Sequence, residues 1–207
     1  MILIIIFSII YPVLNYLRIV TGFKPEYNKL NRLCITLLMI VGYSMPFLPQ
    51  PRIYAFFDFK FPSLFYLLLA VGIPFFLISI QRFRKALKII HGMTKGNAQP
   101  ITLTTHGFFA ECRHPFYGSA FQLSLAGSIL TGTYIPLIPI ILYLIQSYYG
   151  AKREEDEQLV PLFKEDYVKY RNRVQSMFFD SKQKTYLPII LIVYFALIGF
   201  TFFKNFV

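Results

Sequence analysis

The stretch RHPFYGSAFQLSLAGSILTGTYIPLIPIILYLIQSYYGAKRE, residues 113–154, determines the fold class. Its interior carries no charged residue over the 38 positions 114–151. A helix needs about 20 apolar residues to cross a bilayer, so this run is too long for one span. Gly132 lies near its middle and Pro136 follows, and such residues end one helix and allow another to begin. We therefore predict a tight helical hairpin with helices over 115–131 and 134–150.

Four further charge-free runs flank this hairpin, at 1–17, 33–51, 61–81 and 185–203. Only 15% of the residues are charged and 56% are hydrophobic, whereas about 25% are charged in soluble domains. We predict an all-α, polytopic membrane protein of about six transmembrane helices, forming one integral membrane domain over 1–207. The predicted spans are 2–20, 33–49, 62–80, 115–131, 134–150 and 186–203.

The basic residues indicate an orientation. Eighteen of the 21 lysines and arginines fall in the segments 18–32, 81–113 and 151–185, which six spans would place on one side. By the positive-inside rule these segments face the cytosol and both termini face the opposite side. The net charge of +11 is then explained by topology and by contact with anionic bilayer lipids. Nucleic acid is not a predicted partner.

The segment 151–180 is polar but periodic. Its apolar and aromatic residues recur at spacings of three and four, at Leu159, Leu162, Phe163, Tyr167 and Tyr170. Such spacing is typical of an amphipathic helix that lies against the membrane face. We predict a cytosolic amphipathic segment between the hairpin and the last span.

Arg113-His114-Pro115 begins the first helix of the hairpin. Proline suits the first helical position, and a helix N-terminus offers unpaired N–H groups and partial positive charge. With Arg113 and His114 beside it, this position can hold an anion. The alternative is that Arg113 extends to lipid phosphate and His114 only caps the helix.

The acidic run Glu154 to Glu157 follows the second helix, and the hairpin returns it to the side of Arg113. These carboxylates could bind a cationic group, or Glu155 could form a simple salt bridge with Arg113. An anion site beside a cation site suits an amino-acid group such as that of S-adenosylmethionine. Cys34 and Cys112 lack metal-ligand spacing, and no metal site is predicted.

Two motifs flank the hairpin, THGFFAECRHPFYGS at 105–119 and REEDEQLVPLFKEDYVKYRNRV at 153–174. Over about 75 residues, from Thr102 to Val174, the chain resembles the isoprenylcysteine carboxyl methyltransferase and phospholipid N-methyltransferase superfamily of membrane enzymes. It departs from the pattern at Lys164, where glycine is usual, and at Gln175-Ser176, where the family has Pro-Arg. The last span also follows the point at which many relatives end.

The resemblance implies an S-adenosylmethionine-dependent methyltransferase whose cofactor-binding core is 101–180, preceded by N-terminal spans within 1–100 and followed by an extra span at 186–203. Its acceptor would be hydrophobic or lipid-anchored, methylated on a carboxyl oxygen or an amine. The implied cofactor-binding residues are Gly107, Phe109, Arg113, His114, Pro115, Tyr117, Gly118, Glu154, Glu155, Phe163, Tyr167 and Tyr170. The implied catalytic residues are Glu155 and Arg173, and the register of the acidic pair, 154–155 or 155–156, stays open.

Two alternatives remain. Sterol-type double-bond reductases, which use NADPH, resemble the same region and also carry Arg-His-Pro-x-Tyr, but they are larger and rich in tryptophan, which this chain lacks. A non-catalytic membrane protein could also keep the hairpin as a scaffold. Binding of S-adenosylmethionine, of NADPH or of neither distinguishes the methyltransferase, the reductase and the non-catalytic protein.

Overall fold

The computed structural model describes residues 2–21, 27–53, 62–94 and 102–204, and within these ranges the elements of regular structure are helical. Three of the 21 basic residues that were counted for the orientation, Lys24, Lys60 and Lys95, lie outside the described residues. The α-helices of the described residues are α1 Ile2–Thr21, α2 Asn28–Ser44, α3 Pro62–Thr94, α4 Pro115–Thr131, α5 Leu137–Glu154, α6 Val160–Arg173 and α7 Ser181–Lys204. Shorter helical turns are Met45–Phe47, Gly107–Ala110 and the π-turn Glu155–Leu159.

The hairpin forms where the sequence places it. Gly132 caps α4 in the left-handed conformation, with φ of 64°, which a residue without a Cβ adopts at little cost. Its carbonyl oxygen accepts a hydrogen bond of 2.7 Å from the amide of Ile53. α5 begins at Leu137 rather than at the predicted residue 134, because Pro136 stands at its N-terminus. The turn is therefore three residues longer than expected.

Helix α4 lies at the centre of the molecule. All of its residues except Phe116 and Leu130 are buried, which explains why its sequence has no separate polar face. It runs antiparallel to α3 and parallel to α7. On the α3 side Gln122 donates a 3.0 Å hydrogen bond to Ser79, and on the α7 side Tyr194 donates to the carbonyl of Ser128 at 2.9 Å.

Helix α1 runs parallel to α5. The rings of Tyr11 and Tyr143 lie 5.9 Å apart, and one turn further along Asn15 donates a 2.9 Å hydrogen bond to Gln146. The helix directions therefore bring the C-terminal ends of α1, α3 and α5 together with the N-terminal ends of α4 and α7. We call this the site end of the bundle.

Within the described residues, three helical stretches are long and apolar enough to cross a membrane, Ile2–Thr21, Lys29–Phe47 and Ser181–Phe200. Large apolar side chains are exposed along them, such as Ile9 on α1 and Ile192 on α7, as expected for surfaces that face lipid. Helix α3 continues to Thr94, well beyond the predicted limit at residue 80. Its added turns bury Phe83 and Ala86 and expose basic residues, so they form an amphipathic extension.

Candidate functional site

The Arg113-His114 segment is held by the chain that follows α6. The backbone amides of Arg113 and His114 donate hydrogen bonds to the carbonyl oxygens of Ser176 and Met177, at 2.9 and 2.7 Å. His114 then caps α4 and Pro115 occupies its first position, as proline's fixed φ favours. The segment between α6 and α7 thus fixes the backbone from which both side chains project.

The side chains of Arg113 and His114 converge on Glu155. Oε1 of Glu155 lies 2.7 Å from Nε of Arg113 and 2.9 Å from Nε2 of His114. Glu155 begins the π-turn that continues α5, and its side chain is only 2% exposed. A π-turn widens the helix locally, and such turns are frequent at functional sites. The salt bridge between Arg113 and Glu155, the simpler of the two interpretations of the acidic run, is therefore present.

The charge of Glu155 is stabilised by these two partners. Burial alone would raise the pKa of its carboxyl, but the hydrogen bonds from His114 and Arg113 outweigh burial and lower the pKa to about 2. The group is therefore ionised at neutral pH. Because a carboxylate can only accept hydrogen bonds, Nε2 of His114 carries a proton.

The guanidinium of Arg113 has two further acceptors. Its Nη1 donates to the backbone carbonyls of Val174 and Gln175, at 2.7 and 3.1 Å. Its Nε donates to Glu155. The guanidinium of Arg113 therefore connects the start of α4 with the π-turn and with the segment after α6. Arg113 is thus occupied by protein groups on both sides.

An aromatic cluster lies beside the hydrogen-bonded residues Arg113, His114 and Glu155, which we call the network. Tyr167 and Tyr170 of α6 are both buried and pack with Phe109, Val174 and Leu159. The hydroxyl of Tyr170 donates a 2.8 Å hydrogen bond to the carbonyl of Phe109. Burial raises the pKa of Tyr167, and the neighbouring negative charge of Glu155 raises it further. Both tyrosines are therefore neutral. Tyr170 also donates a hydrogen bond, whereas no described residue accepts one from the buried hydroxyl of Tyr167.

A cavity of about 340 Å³ opens beside the network, between α1, α2, the end of α3, α4 and α5. This volume lies within the range of about 300 to 1,000 Å³ that is usual for small-molecule sites. We call its polar lining residues Arg18, Arg113, His114, Tyr117, Glu154 and Gln158 the polar wall. We call its apolar lining residues Ile19, Ile35, Leu38, Met39, Leu87 and Ile90 the apolar wall.

A hydrogen-bonded chain crosses the polar wall. The hydroxyl of Tyr117 donates to Oε2 of Glu154 at 3.1 Å and accepts from Nη1 of Arg18 at 3.1 Å. Nε of Arg18 in turn donates to Oδ1 of Asn15 at 3.1 Å. A carboxylate and a guanidinium thus stand on opposite sides of one phenol, and both line the cavity.

The structure brings about half of the predicted cofactor residues to the cavity. Those that line it are Phe109, Arg113, His114, Pro115, Tyr117 and Glu154. Glu155, Tyr167 and Tyr170 are buried behind it, and Phe163 packs in the aromatic cluster. Arg173 is exposed on α6, and Gly107 begins a helical turn with φ of 61°.

Gly118 has a packing role in this structure. A Cβ at this position would lie 2.2 Å from the carbonyl oxygen of Phe178, closer than any normal contact. Gly118, which the resemblance assigns to cofactor binding, is therefore closely approached by the chain between α6 and α7.

Sequence reasoning missed Arg18, which it assigned to a basic loop. The structure places Arg18 inside α1, in the cavity wall. The sequence does carry a signal, because Tyr11, Asn15 and Arg18 are spaced by four and three and share one face of an apolar helix. Gln158 and Asn31, which also line the cavity, have no comparable pattern.

Among the described residues no group of three or more His, Cys, Asp or Glu side chains could hold a metal ion, and Cys34 and Cys112 are free, buried thiols. Comparison of the chain with protein-family models, curated proteins and solved structures gives no significant match.

Proposed function

We propose that the protein is an S-adenosylmethionine-dependent methyltransferase that acts on a hydrophobic or lipid-anchored acceptor at the membrane–cytosol interface. The observation that carries the proposal is the cavity at which the Arg113-His114-Pro115 motif meets Glu154, the first residue of the acidic run at the end of α5. These are the two motifs on which the family resemblance rests. Their order along the chain and their meeting in space support the same site.

The residues of the cavity fit the cofactor's chemistry. S-adenosylmethionine presents two cationic groups, a carboxylate and an aromatic base. Glu154 lines the cavity with 28% of its side chain exposed and offers a carboxylate to a cation. Phe109 and Tyr117 also line it, and aromatic faces suit both bases and cations. The volume of about 340 Å³ suits a ligand of this class.

We assign contact with the ammonium to Glu154 and a positioning role to Glu155. Glu155 is almost fully buried and already accepts hydrogen bonds from Arg113 and His114, whereas Glu154 lines the cavity. Glu155 would then hold His114 and Arg113 in place. This assignment takes 154–155 as the register of the acidic pair.

When bound, the cofactor supplies an electrophilic methyl group: the acceptor's lone pair forms the new bond to carbon, and the carbon–sulfur electrons remain on a neutral thioether. The chain's contribution is to position both reactants and to exclude water. The apolar wall, with Ile35 and Leu38 of α2, suits an acceptor that arrives from the bilayer. A carboxylate or neutral amine acceptor requires no catalytic base.

We further propose six spans with the site end facing the cytosol. The alternating helix directions support this arrangement, and so does the concentration of eighteen basic residues in the sequence segments 18–32, 81–113 and 151–185. It would admit a water-soluble cofactor from the cytosol and a lipid-like acceptor from the membrane.

The test is calorimetric titration of S-adenosylmethionine into detergent-purified protein. We expect micromolar binding, about −8 kcal/mol, and a loss of at least roughly tenfold in Glu154→Gln, because a charged hydrogen bond is removed. Glu157→Gln is the matched control, since Glu157 is half exposed and pairs with Arg153. Binding of NADPH in place of S-adenosylmethionine would favour the reductase, and binding of neither would contradict the proposal.

A further inference from the structure

Arg18 is an arginine with unused hydrogen-bonding capacity in the cavity wall. Its Nε and Nη1 donate to Asn15 and to the hydroxyl of Tyr117, and its guanidinium carbon lies 5.0 Å from the centre of the Tyr117 ring. Its Nη2 is buried and has no hydrogen-bond partner among the residues that the structure describes. An arginine has five N–H donors, so the protein satisfies only part of this group.

The charge of Arg18 also lacks the direct partner that comparable arginines have. Arg113 pairs with Glu155 and Arg82 pairs with Asp180, whereas Arg18 forms no ion pair with a carboxylate of the described residues. Withdrawing a charge from water without a paired counter-charge is costly. A ligand anion in the cavity would offset that cost.

The position of Glu154 close to Arg18 indicates which class of ligand the cavity would bind. Glu154 stands across the Tyr117 hydroxyl, which is 3.1 Å from each of the two side chains. A cation and an anion separated by one hydroxyl, at the edge of the same cavity, match the two charges of an α-amino-acid group. A purely anionic ligand would meet repulsion from Glu154, and a purely cationic ligand would meet repulsion from Arg18.

We infer that Arg18 binds the α-carboxylate of the cofactor's methionine group, opposite Glu154 at the ammonium. This rests on the proposed function for the identity of the ligand. It assigns to α1 a part in cofactor recognition that the two motifs around the hairpin do not include. Arg113, which the sequence suggests for this carboxylate, is instead engaged by Glu155 and two backbone carbonyls.

The experiment compares two probes that differ only in the carboxylate, S-adenosylhomocysteine and decarboxylated S-adenosylhomocysteine. Each is titrated calorimetrically into the wild-type protein and into Arg18→Met. We expect the wild type to prefer the carboxylate form by roughly 10- to 100-fold and Arg18→Met to bind both forms about equally. Arg84→Met is the control, because Arg84 is exposed on α3 and should leave the preference unchanged.

The outcomes separate this inference from the proposed function. If the wild type binds both probes equally, or if Arg18→Met keeps the full preference, Arg18 does not bind the carboxylate although the cofactor site stands. If the wild type binds neither probe nor S-adenosylmethionine, the proposed function itself fails. Should Arg18→Met not fold, Arg18→Lys replaces it: it keeps the charge but loses the guanidinium fork, and an intermediate preference is expected.

Discussion

Among single residues, Arg113 links three parts of the chain through Glu155, Val174 and Gln175. Arg113→Met would leave Glu155 as a buried carboxylate with one partner fewer, and breaking such a pair costs about 3 to 5 kcal/mol. We expect a fall of about that size in the free energy of unfolding, measured by denaturant titration in detergent.

Arg171→Met is the matched control for that change. Arg171 pairs with Asp156 at the surface, where the two side chains are 35% and 59% exposed. Exposed ion pairs contribute at most about 1 kcal/mol, so this variant should be nearly as stable as the wild type. Equal effects of the two substitutions would mean that Arg113 does not anchor the site.

The pH dependence of stability follows from Glu155. Its pKa is about 2 in the folded protein against 4.5 as the ordinary value. A lowered folded pKa contributes stability that is complete above pH 4.5 and is lost as the pH falls towards 2. The wild type should therefore lose its advantage in unfolding temperature over Glu155→Gln across this window. If the difference in unfolding temperature between the wild type and Glu155→Gln stays constant from neutral pH to pH 2, the lowered pKa of Glu155 is contradicted.

Among the helices, α6 is kinked at Lys164, which has φ of 49° and ψ of −127°. Residues with a Cβ rarely adopt this conformation, and holding one there costs on the order of 1 to 3 kcal/mol. Lys164→Gly should therefore raise the free energy of unfolding, by about 1 kcal/mol once the extra chain entropy of glycine is counted. Chemical denaturation of the two proteins measures the difference.

Lys169→Gly provides a control of opposite sign. Lys169 is 75% exposed in the regular part of α6, where glycine costs about 1 kcal/mol relative to good helix formers. Glycine should thus stabilise the protein at residue 164 and destabilise it at residue 169. If glycine lowers the free energy of unfolding at both positions, the kinked conformation of Lys164 is contradicted.

The hairpin and the meeting of its two motifs could be predicted from the sequence, because Gly132 marks the end of α4 and the turn returns the chain to Arg113. The sequence could not predict that Glu154 lines the cavity while Glu155 is buried behind it. A π-turn begins at Glu155 and changes the rotation per residue, so the face of each acid cannot be extrapolated from α5. The charge of Arg18 resembles a topology signal and so favours a loop, whereas the packing of α1 on α5 turns this residue towards the cavity.

Across the whole molecule, the helix directions place α6 and the turn after α2 at opposite ends. In the proposed topology, single cysteines at Lys169 and at Pro49, both exposed, should react with a membrane-impermeant maleimide from opposite sides of sealed vesicles, with Lys169→Cys reactive from the cytosolic side. The native thiols contribute little background, since Cys112 is buried and burial raises its pKa to about 12. Labelling of both positions from one side would contradict the topology.

The absence of tryptophan from the chain allows the cofactor to be located directly. Phe116→Trp places a single fluorophore in the cavity wall, and Phe200→Trp places one on the exposed surface of α7. On titration with S-adenosylhomocysteine, fluorescence at residue 116 should change saturably as the adenine and amino-acid groups fill the cavity, while fluorescence at residue 200 stays constant. Calorimetric binding with no change at residue 116 would place the cofactor elsewhere and contradict the proposed site.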